Sequence, residues 1–569
     1  MIKIKRLLDE DFIWCSLIFL ASLIIIRPLF YPGFYPFHDE PQIANLYQMV
    51  RALSSGQIPP RWAPDVSFNY GYPLFNFYYP LPFYLGSFFH FFFGISLIWS
   101  LKLLFILSVP ISGLVFFLLM RKYFSRSSSF FGAIVYLFTP YRAVNLYVRG
   151  ALGELWSFVF MPLVLLTLIN LTEKRSCKNF VFFAFSVGGL ILNHNLTAII
   201  FLPIVVIFAL VIIGQKKEKI STFLVIMAAF LFGLSISFYY WFPAIAEKKF
   251  VQAGTPFNPF DHFPFLKQLV IPSWGYGASL WGPNDGMSFQ IGITNLLVVL
   301  IAITFFLLGK RLKIRQDNSV IYLNIGIFFV SIFFMNIRSG FLWKILPLGS
   351  YIQFPWRFLM LTSFSSSFLI GLISDLLVGR KGVTLSVLLA LSAVFLTAGY
   401  FKPEKQFFVD DDYYLLRFFA NRTSKGESQK LSEEYLNYSE DYLPLTIWTM
   451  KKPTSLPEKK LEINEGKISY RSLSSIDYEA EVITSEPGEV IFHSYYFPGW
   501  TATVNGRKVP IGINPPYGDS LIPVPAGKSS IKIKFSESKI RYFADLVSLF
   551  SSIVLLAFLV LKKRFCFFR

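Results

Sequence analysis

Long apolar runs separated by short polar connections fill most of the first 400 residues of the chain. A helix needs about 20 predominantly apolar residues to cross a hydrocarbon core of about 30 Å. Runs of this kind begin at Phe12, Leu103, Phe130, Leu155, Phe180, Leu196, Ile220, Ile291, Val320, Phe358, Val383 and Phe543. The pattern therefore predicts a polytopic α-helical membrane protein with about twelve transmembrane helices.

A hydrophilic region at 401–541 interrupts this pattern before the last apolar run. Apolar and polar residues alternate there in TyrGluAlaGluVal (478–482) and IleLysIleLysPhe (531–535), which is typical of half-buried strands. Asn505-Gly506 is a strong signal for a two-residue hairpin turn. We predict three regions: a transmembrane module at 1–400, a β-sandwich insert at 401–541, and a final transmembrane helix with a basic tail at 542–569.

The stretch at 80–93 decides the topology, because it is apolar but has only about 14 residues, fewer than a spanning helix needs. If it does not cross, every basic cluster falls on one side, and the positive-inside bias makes that side the cytoplasm. These clusters are Lys3/Lys5/Arg6, Arg121/Lys122/Arg126, Lys174/Arg175/Lys178, Lys216/Lys217/Lys219, Lys310/Arg311/Lys313/Arg315, Arg380/Lys381 and Lys562/Lys563/Arg564. We therefore expect 80–93 to form a helix at the outer interface, both termini to be cytoplasmic, and the insert to be external. The first apolar run lacks a small-residue cleavage site, so we expect it to persist as a helix.

Composition supports this interpretation, since 54% of the residues are hydrophobic and the mean hydropathy is +0.53. The net charge of +19 needs no nucleic acid, because much of it lies in the basic clusters that set orientation and attract anionic headgroups. The chain has three cysteines without disulfide or zinc spacing, and it contains neither a P-loop nor a dinucleotide fingerprint.

Four segments are expected to face outward, at 31–102, 140–154, 243–290 and 337–357, and all are rich in aromatic residues, Pro and Gly. The first contains HisAspGlu at 38–40, immediately after the first apolar run. The second carries Arg142, Arg149 and Glu154 near the expected interface, and the fourth ends with Trp356 and Arg357. Ionisable groups at membrane depth normally pair or serve function, and guanidinium groups bind phosphate bidentately. These features predict an outer pocket that holds a lipid phosphate against a carboxylate.

Each candidate has a purely structural alternative. Arg149 and Glu154 could be an ion pair that ties two helix ends, and Trp356 with Arg357 could be interfacial anchors. His194 could be a hydrogen-bonded turn residue, and AspAspAsp at 410–412 could be a solvated turn or hold a cation. A turn-capping role is the alternative for Asp39, although such a role would not need a flanking His and Glu.

Several motifs carry a family resemblance. They are GlyGlnIleProProArgTrpAlaProAsp (56–65), TyrGlyTyrProLeuPheAsnPheTyrTyrProLeuPro (70–82), ProTyrArgAlaValAsnLeuTyrValArgGlyAlaLeuGlyGlu (140–154), PheTyrTyrTrpPheProAlaIleAlaGluLysLys (238–249) and GlnPheProTrpArgPhe (353–358). With TyrTyrPheProGlyTrpThrAlaThrValAsnGly (495–506) in the insert, the chain resembles bacterial 6-pyruvoyl-tetrahydropterin synthase-related and YfhO-like membrane proteins. This group is similar to the GT-C glycosyltransferase superfamily.

The resemblance implies a GT-C-like fold and transfer of a sugar from a polyprenyl-phosphate donor to a glycan or lipid acceptor. Asp39 matches the acidic residue of the first outer loop, and 80–93 matches an interface helix. Asn145 stands where the family pattern has a second acid, which leaves Glu154 as the remaining carboxylate. A divalent metal is possible under this resemblance, but we assign no metal ligand.

The expected catalytic residues are Asp39, Glu40 and Glu154. The expected substrate-binding residues are His38, Arg61, Trp62, Lys102, Arg142, Tyr147, Arg149, Gln353, Trp356 and Arg357. Donor, acceptor and membrane lipids are the expected partners, and the bacterial cytoplasmic membrane is the expected location, with the active face outside. Two alternatives remain: a lipid or polysaccharide transporter, whose helices should show paired broken segments, and a non-catalytic envelope assembly factor.

Overall fold

The computed structural model describes residues 2–252, 258–307, 319–346, 348–376, 380–419, 421–423, 425–427 and 446–560. The basic clusters at 310–315 and 562–564, together with Cys566, therefore lie outside the described residues. The described residues form a helical membrane body, a β-sandwich and a closing helix.

Helices make up the membrane body, and their lengths decide which of them can span. The longer helices are Ile2–Ile26, Pro41–Ser54, Leu81–Phe93, Leu97–Met120, Arg126–Leu137, Leu152–Glu173, Cys177–Asn193, Asn195–Gly214, Lys219–Ile236, Phe238–Ala246, Ile293–Leu307, Ser319–Phe334, Leu359–Leu376, Arg380–Thr397, Asp411–Phe419 and Lys539–Val560. Within the described ranges, 8 helices are long and apolar enough to cross a membrane, or up to 9 if one bent pair counts as a span. That pair, Ser319–Phe334 and Ile337–Ile345, is bent by 87°.

Every predicted apolar run begins within a helical segment or within two residues of one, so the polytopic helical fold is confirmed. The count of twelve exceeds eight because several predicted spans correspond to shorter helices. Arg126–Leu137 has 12 residues and Cys177–Asn193 has 17, while Ile293–Leu307 and Ser319–Phe334, with 15 and 16 residues, border the residues 308–318 that the structure does not describe. The Leu81–Phe93 helix has 13 residues, so it is also shorter than a typical span.

The insert forms a β-sandwich, as predicted. Its strands are β1 (Arg422–Thr423), β2 (Gly426–Glu427), β3 (Leu461–Ile463), β4 (Lys467–Ser474), β5 (Asp477–Thr484), β6 (Gly488–Tyr495), β7 (Trp500–Val504), β8 (Arg507–Val509), β9 (Gly512–Asn514), β10 (Asp519–Val524) and β11 (Gly527–Phe535). After the small β1-β2 ladder, a four-stranded sheet has the order β3-β6-β10-β9 and a five-stranded sheet has the order β4-β5-β11-β7-β8. Alternate residues of β11 are buried, which explains the period-two pattern of its sequence.

The predicted hairpin turn joins β7 to β8, which pair antiparallel. Asn505 has φ 52° and Gly506 has φ 77°, so both residues occupy the left-handed region that a tight two-residue turn requires.

The segment at 31–102, the first of the four that we expect to face outward, packs directly on the sandwich. Trp62 is buried, with its ring centroid 5.3 Å from that of Trp500 and 5.1 Å from that of Phe535. Gly71 lies against the Trp62 ring so closely that a Cβ atom would be 2.5 Å from the indole nitrogen. The Trp62 indole therefore packs against both the segment at 31–102 and the sandwich core, and this contact holds the two regions together.

A left-handed turn at 67–69 provides a second contact. Ser67, Phe68 and Asn69 all have positive φ, at 53°, 54° and 65°, a conformation that costs non-glycine residues about 1–2 kcal/mol each. The sandwich holds this turn, because the Ser67 hydroxyl lies 2.6 Å from that of Tyr495 and the Lys460 ammonium donates to the Asn69 carbonyl. These contacts offset the strain of the turn.

The closing helix Lys539–Val560 returns to the same segment. Arg61, which is buried, donates from Nη2 to Asp545 at 2.6 Å and from Nε to Glu537 at 3.2 Å. Its third donor, Nη1, binds the carbonyl of Tyr239 at 2.9 Å. One guanidinium therefore links the first outer segment, the Phe238–Ala246 helix and the end of the chain.

Candidate active site

Asp39 lies in the turn that precedes the Pro41–Ser54 helix. The backbone N–H of His38 donates to the carbonyl of Val148 at 3.0 Å, and that of Asp39 donates to the carbonyl of Arg149 at 2.8 Å. These two bonds place the first outer segment directly beside the second.

The second segment reaches this position through an unusual helical turn. Residues Val144–Arg149 form a π-helix, a feature that is frequent at functional sites. It ends at Gly150, which has φ +64° and lies so close to Phe37 that a Cβ atom would be 2.0 Å from its ring. Only glycine fits this close approach. Gly150 therefore ends the π-helix directly after Arg149, and the Leu152–Glu173 helix begins two residues later.

Glu154 is the centre of a buried charged cluster. It lies in the first turn of the Leu152–Glu173 helix, where the helix dipole favours a carboxylate. Its Oε1 is 2.9 Å from Nη1 of Arg149 and 3.1 Å from Nε of Arg357, and its Oε2 accepts from the Tyr141 hydroxyl at 2.5 Å. Glu154 therefore orients two guanidinium groups, and both of its oxygens are occupied.

Arg357 comes from a distant part of the sequence, in the 3₁₀ turn Pro355–Phe358. Its Nη1 donates to the carbonyl of Ile352 at 2.6 Å and to Oε1 of Gln353 at 3.1 Å. Gln353 has φ +66°, a strained conformation for a non-glycine residue that is often found at functional sites.

Within the described residues, Arg149 and Arg357 each have one amino group without a protein partner. In the described residues, none of the hydrogen bonds or ion pairs of Arg149 and Arg357 uses Nη2. The Arg149 guanidinium also lies 4.4 Å over the Trp356 ring, which is stacked on Phe354 and Phe289. This aromatic wall fixes the plane in which Arg149 presents its free donor.

Asp39 differs from Glu154 in having no such partners. Across the ranges described, no side-chain donor binds its half-buried carboxylate. Burial raises the pKa of Asp39, and the opposing charges of Arg149 and Arg357 only partly reverse this effect. A carboxylate that is accessible, unpaired and more basic than usual is suited to accept a proton.

His38 precedes Asp39 and contacts the segment at 243–290. Its Nε2 is 2.9 Å from the carbonyl of Tyr276, which can only accept, so Nε2 carries the proton and Nδ1 keeps its lone pair. Burial lowers the pKa of His38, which favours the neutral ring.

The structure adds contacts that the sequence did not predict. Tyr141 binds Glu154, and Asn145 accepts from Nη1 of Arg149 at 2.7 Å. Tyr78 and Tyr79 stack at 4.4 Å, and both hydroxyls accept hydrogen bonds from the amide of Gln42. Burial raises the pKa of both tyrosines, and the negative charge of Asp39 nearby adds to the increase. In the sequence, the only signal for Tyr78, Tyr79 and Tyr141 as site residues is their position inside the quoted motifs.

Seven predicted site residues are thus brought together: His38, Asp39, Arg149, Glu154, Gln353, Trp356 and Arg357. The other predicted residues have partners elsewhere. Glu40 pairs with Arg417 at 3.1 Å, and Arg61 and Trp62 contact the closing helix and the sandwich. Lys102 donates to the carbonyl of Tyr31 at 2.6 Å, Arg142 to the Ser112 hydroxyl at 2.9 Å, and Tyr147 to the carbonyl of Ile25 at 2.6 Å.

Two further candidates have structural partners. Nδ1 of His194 lies 2.7 Å from the Thr197 hydroxyl, within the turn between two helices. Asp411 accepts from the backbone N–H groups of Leu97 and Ile98, at 2.8 and 3.0 Å, and so caps the Leu97–Met120 helix.

The donor set of the site does not fit a divalent cation. No group of three or more His, Cys, Asp or Glu side chains that could hold a metal occurs among the described residues. Both Glu154 oxygens already accept bonds, so Asp39 would face a metal alone and beside two guanidinium charges.

Comparison with known proteins places this geometry in context. A sequence profile for membrane proteins described as having a 6-pyruvoyl-tetrahydropterin synthase related domain matches residues 75–402. An uncharacterized protein of Lactococcus lactis subsp. cremoris is 23% identical over 347 residues, which cover 59% of this chain and 55% of that protein. The chain thus spans about half the length of this relative.

Among solved structures, the apo oligosaccharyltransferase of Archaeoglobus fulgidus matches with a TM-score of 0.44 and 14% identity, covering 79% of this chain and 61% of that one. The same archaeal enzyme, AglB, in complex with an inhibitory peptide and a dolichol-phosphate matches with a TM-score of 0.42 and 13% identity, with the same coverage. The arabinofuranosyltransferase AftD from Mycobacteria matches with a TM-score of 0.46 and 12% identity, covering 75% of this chain and 31% of that one.

Proposed function

We propose that this chain, which belongs to the 6-pyruvoyl-tetrahydropterin synthase-related family of membrane proteins, is a GT-C-type glycosyltransferase that works on the extracytoplasmic face of a bacterial cytoplasmic membrane. It transfers a sugar from a polyprenyl-phosphate donor to a glycan or lipid acceptor of the envelope. One observation carries the proposal: an unpaired Asp39 carboxylate lies beside two buried arginines that each keep a free amino group.

The arginines supply the phosphate site. Glu154 neutralises one of the two guanidinium charges and fixes the orientation of both groups. The Nη2 donors of Arg149 and Arg357 are then available for the oxygens of one phosphate, with charge-assisted bonds that strengthen as the leaving phosphate gains charge. The motif resemblance to GT-C proteins supports a polyprenyl chain as the carrier of that phosphate.

Asp39 acts as the general base. The acceptor hydroxyl gives its proton to the carboxylate while its oxygen forms a bond to the anomeric carbon. The bond between that carbon and the phosphate oxygen breaks at the same time, and its electron pair leaves with the polyprenyl phosphate. Inversion at the anomeric carbon is the simplest outcome, since base and leaving group act on opposite sides.

Charge balance supports these separate roles. Asp39 and Glu154 together offset Arg149 and Arg357, so the site is close to neutral before the donor binds. An incoming phosphate makes the site negative and raises the pKa of Asp39 further, which increases its strength as a base. This mechanism needs no metal ion in any step.

The decisive experiment measures transfer from a radiolabelled polyprenyl-phosphate monosaccharide in membranes that contain the protein. We expect a labelled product and released polyprenyl phosphate with the wild type. Asp39→Asn should bind donor but transfer about a hundredfold to ten-thousandfold more slowly, since it keeps the size of the side chain and removes the proton acceptor.

Glu40→Gln is the matched control, because Glu40 neighbours Asp39 in sequence but pairs with Arg417. Near-normal transfer by Asp39→Asn would refute its role as base. Movement of an intact lipid-linked sugar across the bilayer, without a new glycosidic product, would replace the proposal with the transporter alternative.

A further inference from the structure

An exposed apolar surface borders the site on the side of the third and fourth outer segments. It consists of Phe265, Leu266, Leu280, Trp281, Phe341 and Ile345, which we term the apolar rim. Trp281 is 81% exposed and Ile345 is 71% exposed, so the described residues leave both side chains largely uncovered.

The rim rests on a hydrogen-bonded framework. Trp281 lies at the tip of a hairpin in which Tyr276 pairs with Met287, and Gly277 and Gly286 are joined by a backbone bond of 3.0 Å. Asp285 holds the tip, because it accepts from the Leu280 backbone at 2.8 Å and from the Gln268 amide at 2.8 Å. The exposure of Trp281 is therefore built into an ordered turn.

Two short helices, Leu266–Val270 and Gly340–Ile345, complete the rim. Phe263 and Trp343 join them, with ring centroids 5.4 Å apart, and Phe260 lies against Gly340. The helix Gly340–Ile345 belongs to the segment that bends by 87° from the preceding Ser319–Phe334 helix. If that preceding helix crosses the bilayer, a bend near a right angle lays Gly340–Ile345 along the membrane surface.

The rim also continues the lipid-facing side of a neighbouring helix. The backbone N–H of Ile291 donates to the carbonyl of Leu269 at 2.9 Å, which fixes the Leu266–Val270 helix at the start of Ile293–Leu307. The latter exposes Ile293, Leu297 and Leu300, an i, i+4, i+7 stripe that would face lipid.

Charges around the rim suit an anionic surface. Lys267, Arg338 and Lys344 are exposed, and Lys344 lies 5.3 Å over the Phe260 ring. The two neighbouring carboxylates, Asp261 and Asp285, are engaged in hydrogen bonds with Asn258 and Gln268. Exposed Trp and Phe interleaved with Lys and Arg are typical of protein surfaces at the bilayer interface.

We propose that the apolar rim is inserted in the outer leaflet of the bilayer, with its basic residues at the phosphate level of anionic lipids. The base of the hairpin reaches the site, since the carbonyl of Tyr276 accepts from His38. An anchored rim therefore sets the height of His38 and Asp39 relative to the membrane surface. The insertion does not depend on the proposed reaction, because it concerns the depth of a surface, but its assignment to the outer leaflet rests on the extracytoplasmic face proposed above.

The test measures depth by fluorescence quenching in proteoliposomes of phosphatidylcholine and phosphatidylglycerol. Trp281→Cys is made in a chain whose native cysteines are replaced, and it is labelled with a nitrobenzoxadiazole probe. Phe341→Cys gives an independent reading if the first variant does not fold, and Asn505→Cys at the exposed β7-β8 turn is the aqueous control. Lipid nitroxides should quench the first two probes at least about threefold more than the control, and aqueous iodide should show the reverse order.

Three results would overturn the proposal. Equal iodide quenching at 281, 341 and 505 would place the rim in water. Protection that appears only after polyprenyl phosphate is added would identify a donor chain as the occupant. Protection that disappears when the protein is diluted to one copy per vesicle would identify a second copy of the chain.

Discussion

The backbone N–H of Asp39 donates to the carbonyl of Arg149 at 2.8 Å, so the proposed base and the proposed phosphate ligand are joined through the main chain. Because both bonded atoms belong to the backbone, we expect this bond to persist when either side chain is replaced. Substitutions at the two positions therefore test chemistry with little displacement of the loops that carry them.

The first prediction concerns the planar fork of Arg149. Arg149→Lys keeps the charge but cannot bind Asn145, Glu154 and a phosphate together, since an ammonium lacks the geometry of a guanidinium. Loss of one charge-assisted bond of about 1.5–3 kcal/mol predicts donor binding weaker by about tenfold or more. Titration of wild type and variant with polyprenyl phosphate measures this change. Arg417→Lys is the control, and equal affinities for all three proteins would leave Arg149 as a structural ion-pair partner.

The second prediction concerns pH. Asp39 must be deprotonated to accept a proton, and burial raises its pKa. Transfer should therefore decline, as the pH falls, at a higher pH than the value of about 3.9 typical of an exposed aspartate. His38 should be neutral at neutral pH, because burial lowers its pKa. A pH–rate profile of transfer measures this decline at acidic pH, and an unchanged decline in Asp39→Glu would assign it to another group.

The third prediction concerns stability. Glu154→Gln leaves two buried guanidinium groups without their carboxylate, and breaking a buried pair typically costs about 3–5 kcal/mol. Glu173→Gln is the control, because Glu173 forms a partly exposed pair with Lys122, worth about 0–1 kcal/mol. Denaturant titration in detergent compares the free energies of unfolding, and similar losses for the two variants would contradict the central role of Glu154.

The fourth prediction is topological. We expect the loop at Lys174 to be cytoplasmic and the turn at Asn505 to be external. Native Cys177 is a poor reporter because it is buried, so Lys174→Cys and Asn505→Cys replace it at exposed positions. An impermeant thiol reagent should label 505 in intact cells and label 174 only after lysis. The opposite pattern would move Asp39 to the cytoplasmic side.

The fifth prediction separates a structural from a substrate-binding role for Trp62. Its ring fills space between Trp500 and Phe535, so Trp62→Ala should cost about 3–5 kcal/mol of stability and Trp62→Phe clearly less. Donor affinity per folded molecule should stay constant in both variants. A selective loss of donor affinity in a stable Trp62→Phe protein would return Trp62 to the substrate site.

The sequence predicted the helical fold and the sandwich because both depend on local periodicity. The alternation in β5 and β11 and the Asn505-Gly506 turn are each visible within about ten residues. The number of spanning helices was harder to predict. Helices of 12 to 17 residues look long enough to span in the sequence when apolar residues continue into the adjoining turns.

The site itself was predictable only in part. Asp39, Glu154 and Arg357 were visible as charges next to apolar runs, but Arg142 and Arg149 looked equivalent in one short motif. The π-helix and the left-handed Gly150 decide between them, because they direct Arg149 towards Glu154 while Arg142 binds Ser112 within the membrane body. Neither feature has a reliable signal in a single sequence.

The bond between Arg61 and Asp545 closes a loop of 484 residues. At ribosomal speeds of about 5–20 residues per second, Arg61 is made roughly half a minute to one and a half minutes before its partner. During that interval its guanidinium can bind the earlier-made carbonyl of Tyr239 but lacks both carboxylate partners, and the segment that carries Asp39 lacks its contacts with the closing helix. This contact therefore forms only after the closing helix has been made, so we expect chains terminated before Asp545 to be inserted in the membrane yet to lack the proposed activity.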